Sequence, residues 1–250
     1  MTILGCRVDA VSPNEAISRI ARLALGSPGG IVVTLGVEMV MHAQHDASYR
    51  AVVNGAALVT CDTVGLLLAS RLRGGPLRER VTGVGLVDAL AARSASLGDV
   101  RLFLLGGKDD TAARAADALR AAHPGARIAG TRHGYFRDDE TPAVAAAIRA
   151  SGANVLLCGI GFPRQEMWLA EHLAETGCGA GIGIGGSLDV FAGNVTRAPA
   201  AWQRVGLEWL YRLIKEPARW RRQLALPRFA LAAVTEQLFN RTTEGNNVTR

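Results

Sequence analysis

Asp62 closes an apolar run, AALVTCD (residues 56–62), and precedes a helical pattern, TVGLLLASRL (63–72). A carboxylate at such a junction has two readings. It caps the following helix, or it stands at the ligand edge of a sheet as a general base. Position alone does not choose between them. A second string, GIGFPRQEMW (159–168), places Arg164, Gln165 and Glu166 in the first turn of a helix behind Pro163. Gln165 can donate to a phosphate or a sugar hydroxyl. Glu166 there also simply complements the helix dipole. A third string, GGSLDVFAGNVTRAP (185–199), sets a glycine pair ahead of Asp189, Gly193 and Arg197. It is denser in special residues than a plain loop, although Asp189 capping a structural turn is the alternative. GGKDD (106–110) runs from a strand into a helix as half of a dinucleotide fingerprint. GxGxxG is not completed, so a phosphate loop and an ordinary tight turn both remain open. No GxxxxGK[ST] occurs, which argues against a P-loop NTPase.

Metal chemistry finds little support. The four cysteines (Cys6, Cys61, Cys158, Cys178) form no CxxC or Cys/His cluster, and most read as buried small hydrophobes. The five histidines (42, 45, 123, 133, 172) are scattered. Asp138, Asp139 and Glu140 precede a helix and read as decoration of its N-terminus. No convincing DxD motif is present, and no metal ligand set is expected.

Length and composition bound the rest. A chain of 250 residues, 49% hydrophobic and 20% charged, buries a full core and is not disordered. No apolar stretch is long enough to span a bilayer. The N-terminus meets Arg7 and Asp9 too early for a signal peptide, so a cytoplasmic location is expected. The net charge of +6 is concentrated at one end. Residues 1–196 balance to zero, whereas 197–250 carry ten basic and four acidic residues, with Trp202, Trp209 and Trp220. A neutral body with a basic, Trp-rich tail points to an anionic contact: phosphate, a membrane surface or nucleic acid.

The elements that must position these residues alternate. Strands are expected at 2–6, 30–35, 57–61, 100–105, 127–131, 154–160 and 180–184. Helices are expected at 13–25, 37–47, 63–72, 85–97, 109–122, 141–151 and 163–176, with Ser12 and Thr141 as N-caps before proline. Such alternation predicts an α/β fold: a Rossmann-like, mostly parallel sheet flanked by helices. Ligands of such sheets bind beyond the carboxyl ends of the strands. There lie Thr34-Leu35-Gly36, Asp62-Thr63, Gly106-Gly107, Gly159-Ile160-Gly161 and Gly185-Gly186. Beyond residue 196 strand signals stop. Residues 198–239 read as helices broken at Pro217 and Pro227, and 240–250 as a frayed end. The expected division is a catalytic domain over 1–195 and a helical appendage over 196–250. Arg212, Lys215, Arg219 and Arg222 share one helical face if the helix survives Pro217. That face is either solvated or, with its tryptophans, interfacial at a membrane.

Eight strings in order resemble the WecG/TagA/CpsF family, glycosyltransferase family 26. They are VTLGVEMVMHAQ (33–44), LVTCDTVGL (58–66), GGPLRERVTG (74–83), LFLLGGKDD (102–110), GTRHGYF (130–136), GIGFPRQEMW (159–168), GIGGSLDVFAGNVTRAP (183–199) and GLEWLYRLIKEPARWRR (206–222). The resemblance implies an inverting glycosyltransferase. Its donor would be a UDP-sugar, with N-acetylmannosamine the first candidate, and its acceptor a polyprenyl-diphosphate-linked sugar. The products would feed cell-wall or extracellular polysaccharide. The family's catalytic aspartate falls on Asp62, with Thr34, Arg80 and Gln165 beside it. Donor-binding positions are expected at Gly106, Gly107, Tyr135, Gly159, Gly161, Gly186 and Asp189. The arginines that close over the pyrophosphate fall on Arg212, Arg219 and Arg222. The appendage is expected to dock on the inner face of the cell membrane, and homo-oligomers are compatible. Gly36 and Gly85 stand where many relatives carry Asn and Asp.

Two rival classes make different demands. A nicotinamide-dependent oxidoreductase requires a complete GxGxxG with an acidic residue ~20 positions on. A nucleic-acid-binding module requires stacking platforms or a groove-reading helix. GGKDD does not complete the first, and the neutral body with its Trp-rich amphipathic tail favours a membrane surface over the second, so no nucleic acid partner is expected.

Overall fold

A computed structural model describes residues 1–26, 29–196, 198–199, 202, 207–215, 220 and 224–247, with side chains omitted for Arg212 and 238–247. Eight strands are described: β1 (Thr2–Ile3), β2 (Cys6–Arg7), β3 (Gly30–Leu35), β4 (Leu58–Cys61), β5 (Leu102–Gly106), β6 (Ile128–Arg132), β7 (Val155–Gly159) and β8 (Ala180–Gly183). β1 and β2 form a small antiparallel hairpin. The other six form one parallel sheet in the order β4-β3-β8-β7-β5-β6.

The strands are short apolar runs because both faces are covered. Val32, Leu58, Leu102, Leu104, Val155, Leu157 and Ile182 face one core layer. The alternate residues Val33, Leu35, Val59 and Cys61, with Phe103, Leu105, Leu156 and Cys158, face the opposite side. This is the period-two alternation of a pleated sheet with two buried faces.

Helices supply both covers. The first layer receives α1 (Pro13–Ala24), α5 (Gly83–Leu97), α6 (Thr111–Ala122) and α9 (Ser187–Phe191). The second receives α2 (Val37–Ala43), α3 (Ala47–Gly55), α4 (Val64–Leu72), α7 (Thr141–Ala150) and α8 (Arg164–Thr176). Beyond them lie α10 (Glu208–Lys215) and α11 (Ala225–Asn247). Helix α11 packs on α2 and α4. Its Phe229 and Ala233 are buried in the second core layer. Glu236 pairs with Arg73 and accepts from the Leu4 amide, and Gln237 donates to the Leu72 carbonyl at 2.6 Å.

Several local expectations change. The strand expected at 2–6 is the β1–β2 hairpin, because Leu4 and Gly5 take positive φ of 46° and 75° and turn the chain back. The helix expected over 37–47 ends at Ala43, and Asp46 opens a further helix, α3, by accepting the Tyr49 amide at 2.9 Å. Ser12 caps α1 as its sequence predicts, and the structure adds a capping box with Glu15. Thr141 does not cap α7; it is the first helical residue, with Glu140 at the cap and Thr141 Oγ1 accepting from Trp168 Nε1. Pro227 does not break a helix, since it lies in the first turn of α11, where a missing N–H costs nothing. That helix continues to Asn247, across most of the expected frayed end. Pro217 lies outside the described residues.

Candidate active site

The topology fixes where a ligand can sit. From β3 the chain crosses to β4 on one side, while β8, the other neighbour of β3, is reached from β7. The reversal leaves a crevice beyond the carboxyl ends of β3 and β8, the usual ligand position in an open parallel sheet. A cavity of about 320 Å³ occupies it.

The cavity wall joins residues distant in sequence. Thr34 and Gly36 come from the end of β3, Asp62 from the end of β4, and Ile184 to Ser187 from the loop after β8 into α9. Arg80, Thr82 and Gly83 come from the segment entering α5, and Gln165 from the first turn of α8. Glu208, Trp209 and Leu226 belong to the C-terminal helices α10 and α11.

Asp62 stands at the ligand edge of the sheet, on the cavity wall, and does not cap the helix that follows it. The cap of α4 is Thr63, and Asp62 Oδ1 instead accepts the Gly83 amide at 3.0 Å, at the N-terminus of α5. The carboxylate is thereby oriented by a helix other than the one it precedes. Its neighbour Cys61 is buried, and burial pushes its thiol up to about 12, with the Asp62 charge adding and the Arg80 charge opposing.

Thr34 is buried and donates through Oγ1 to the Gly183 carbonyl at 2.7 Å, tying β3 to the end of β8. Arg80 pairs with Glu208 at 3.5 Å, linking the body to α10 across the cavity rim. Gln165 is buried, with Nε2 donating to Glu166 Oε1 at 2.6 Å and Oε1 accepting the Gly185 amide at 3.1 Å. Glu166 is fully buried rather than a surface complement to the helix dipole. Burial raises its carboxyl to about 7, partly opposed by the hydrogen bond from Gln165.

Of the residues singled out from sequence, Thr34, Asp62, Arg80, Gln165 and Gly186 converge on this cavity. Gly106, Gly107, Tyr135, Gly159, Gly161 and Asp189 lie outside its lining. Gly106 and Gly107 take φ of 152° and 68°, and a Cβ on Gly106 would stand 2.5 Å from the Gly159 carbonyl oxygen. A Cβ on Gly159 would in turn meet the Gly185 oxygen at 2.7 Å. These glycines let the ends of β5, β7 and β8 interlock. Tyr135 is exposed, and Asp189 accepts from Asn194 Nδ2 at 3.0 Å. Arg212 sits on α10, whose Glu208 and Trp209 line the cavity. Arg197, Arg219 and Arg222 lie outside the described residues.

Glu38, Glu208, Trp209 and Leu226 also line the cavity, and none of them stood out in the sequence as a site residue. Trp209 carried a signal, as part of the tryptophan enrichment of the tail. Glu38 follows a strand end by three residues, a position with no distinctive chemistry until the fold turns it toward Asp62's cavity. Among the described residues, no three His, Cys, Asp or Glu side chains gather as a metal site. None of the described helices is long and apolar enough to cross a membrane. All four cysteines are free and buried.

Comparison with known proteins adds the chemistry. A model of the glycosyl transferase WecG/TagA/CpsF family matches residues 1–243. A protein of Bacillus spizizenii is 34% identical over 209 residues, covering 84% of this chain and 80% of that protein. A Bacillus subtilis protein is 32% identical over 214 residues, covering 86% of this chain and 82% of its own length. Both are named N-acetylglucosaminyldiphosphoundecaprenol N-acetyl-beta-D-mannosaminyltransferase. The parallel α/β sheet, the cavity at its switch point and the match along nearly the whole chain agree: this protein is a glycosyltransferase and belongs to the WecG/TagA/CpsF family.

Proposed function

We propose that the protein transfers a hexose or N-acetylhexosamine, with N-acetylmannosamine first, from a UDP-sugar to a polyprenyl-diphosphate-linked sugar with inversion. The observation that carries this reading is the convergence of Asp62, Thr34, Arg80 and Gln165 on one cavity at the sheet's switch point. The names of the two Bacillus relatives support the acceptor class.

In this reading the acceptor hydroxyl oxygen attacks the anomeric carbon from the face opposite the leaving group. The C–O bond to the UDP β-phosphate breaks, and UDP leaves with the bonding pair. The hydroxyl proton passes to the Asp62 carboxylate, acting as general base. The Gly83 amide holds that carboxylate in place. Charge developing on the leaving phosphate is met by guanidinium groups, with Arg80 on the cavity wall and Arg212, Arg219 and Arg222 supplied by the tail. No metal ion is required by this scheme. Residues 1–195 then act as the catalytic body and 196–250 as an appendage that completes the wall and rests on the cytoplasmic membrane surface, where the lipid-linked acceptor lies. A homo-oligomer is compatible with this arrangement.

The test is UDP release from UDP-N-acetylmannosamine, UDP-N-acetylglucosamine and UDP-glucose, each with a short-chain polyprenyl-diphosphate N-acetylglucosamine acceptor. Acceptor-dependent release with one donor, abolished by Asp62→Asn, is the expected result. UDP release that ignores the acceptor, or survives Asp62→Asn undiminished, overturns the reading.

A further inference from the structure

Gln165 and Glu166 are consecutive residues in the first turn of α8, and both are buried. The sheet leaves room for them: Gly183, at the end of β8, has no side chain, and a Cβ there would stand 2.7 Å from Glu166 Oε1 and 2.9 Å from Gln165 Nε2. The two polar ends of the Gln165 amide have opposite partners. Nε2 faces a carboxyl oxygen, Glu166 Oε1, at 2.6 Å, and Oε1 faces a backbone N–H, that of Gly185, at 3.1 Å. A flipped amide would set oxygen against oxygen and N–H against N–H, so these partners specify one orientation.

The consequence reaches Asp62. Gly185 lies in the loop whose Ile184, Gly185, Gly186 and Ser187 wall the cavity. Across that loop stands Gly83, where a Cβ would meet Ser187 Oγ at 3.0 Å and the Ile184 oxygen at 3.1 Å. Gly83 is also the residue whose amide orients the Asp62 carboxylate. A continuous chain of contacts therefore runs from Glu166 through Gln165, Gly185 and the loop to Gly83 and Asp62.

We propose that Glu166 is a positioning residue of the transferase site: as a buried hydrogen-bond acceptor it locks the Gln165 amide, and through it the Gly185–Ser187 loop, against the backbone that holds Asp62. It touches neither substrate nor the reacting atoms. The proposal rests on the reading of this cavity as the transfer site. Two further groups face Glu166 from the elements packed against it. The Tyr49 hydroxyl of α3 lies beside it without an aligned hydrogen bond, and the Cys158 thiol of β7 is fully buried. Tyr49 itself packs against His42 and Phe162, with ring centroids 5.1 and 5.4 Å away.

The experiment is a double-mutant cycle read in kcat, with hydrogen exchange of residues 183–187 followed in the same variants. Glu166→Met keeps the bulk and removes the acceptor. It should lower kcat about 100-fold, the cost of a small misplacement of a catalytic group, with KM changed much less. Glu166→Gln retains a carbonyl oxygen and should restore kcat to within about threefold of wild type. In a Gln165→Ala background, Glu166→Met should have no further effect, because the link it acts through is already gone. The Gly185 segment should exchange faster in Glu166→Met and not in Glu166→Gln. Should Glu166→Met not fold, Glu166→Asp, whose carboxyl is drawn back from Gln165, takes its place with the same expectation. Wild-type kcat in a folded Glu166→Met or Glu166→Asp, or additive losses in the cycle, overturns the proposal. If wild type turns over no donor, the transfer reading is what has failed. The exchange arm then decides the loop-locking role by itself, and unchanged exchange overturns it.

Discussion

Asp62 and Gly83 are 21 residues apart in sequence and meet through one hydrogen bond, from the Gly83 amide to Asp62 Oδ1 at 3.0 Å. The bond sets the direction of a carboxylate at the end of β4 from the N-terminus of α5. It also separates the chemical role of Asp62 from its structural one. Asp62→Asn keeps an oxygen for Gly83 but removes the base. Activity should fall about 10³-fold with little change in melting temperature. Asp62→Ala should lose activity equally and also about 1 kcal/mol of stability, the usual worth of one such bond. Steady-state UDP release together with thermal melts of both variants checks this; equal stability loss in the two would show that the amide is not held as described.

Charge on the departing diphosphate is assigned to guanidinium groups. Turnover should therefore persist in EDTA. UDP release measured with and without chelator decides it, and activity lost in EDTA and returned by Mn²⁺ or Mg²⁺ would replace this assignment with a metal-dependent one.

The C-terminal helix is fastened to the body by apolar burial. Phe229 is 4% exposed and packs in the layer with Val37 and Leu66. Phe229→Ala should destabilise the protein by about 3 kcal/mol, at the low end for a buried aromatic. Because Leu226 and Trp209 of the same region line the cavity, loosened docking should also raise KM. Urea unfolding and limited proteolysis between residues 207 and 240 report the two effects.

Glu166 gives the stability a pH dependence of definite sign. Its carboxyl is raised by burial from 4.5 to about 7. Between those values the unfolded chain has released the proton and the native state has kept it. The native state binds more protons there, so this contribution is complete below about pH 4.5, declines as pH rises through the window and is lost above about 7. The decline is of order 3 kcal/mol, from about 1.4 kcal/mol per pKa unit. Urea midpoints at about pH 5 and about pH 8 should differ more in wild type than in Glu166→Gln. Equal differences would mean that Glu166 does not titrate in this range.

Local rules located the strands of the sheet, because runs such as Leu102–Gly106 and Val155–Gly159 are apolar throughout and bounded by turn residues. They located the N-cap Ser12 ahead of Pro13, which needs only neighbouring residues. From alternation alone they placed Thr34, Asp62 and Gly186 at strand ends, and in a parallel sheet that is the ligand side. What local rules do not contain is partnership. Whether Gly106 bares its amides to a phosphate or makes room for Gly159 depends on an atom 53 residues away. Whether an acid in the first turn of a helix meets solvent or a sealed layer depends on which face of the sheet covers it. Glu166 was decided by that, as were Glu208 and Trp209, whose place on the cavity wall follows from how the C-terminal helices pack back. The sequence by itself determined the alternation, the strand ends and the residue types standing there, since these follow from short-range sterics and hydrophobic period. The tertiary structure alone decided which of them share a cavity and which hydrogen bonds orient them, because those are contacts between segments that only packing brings together.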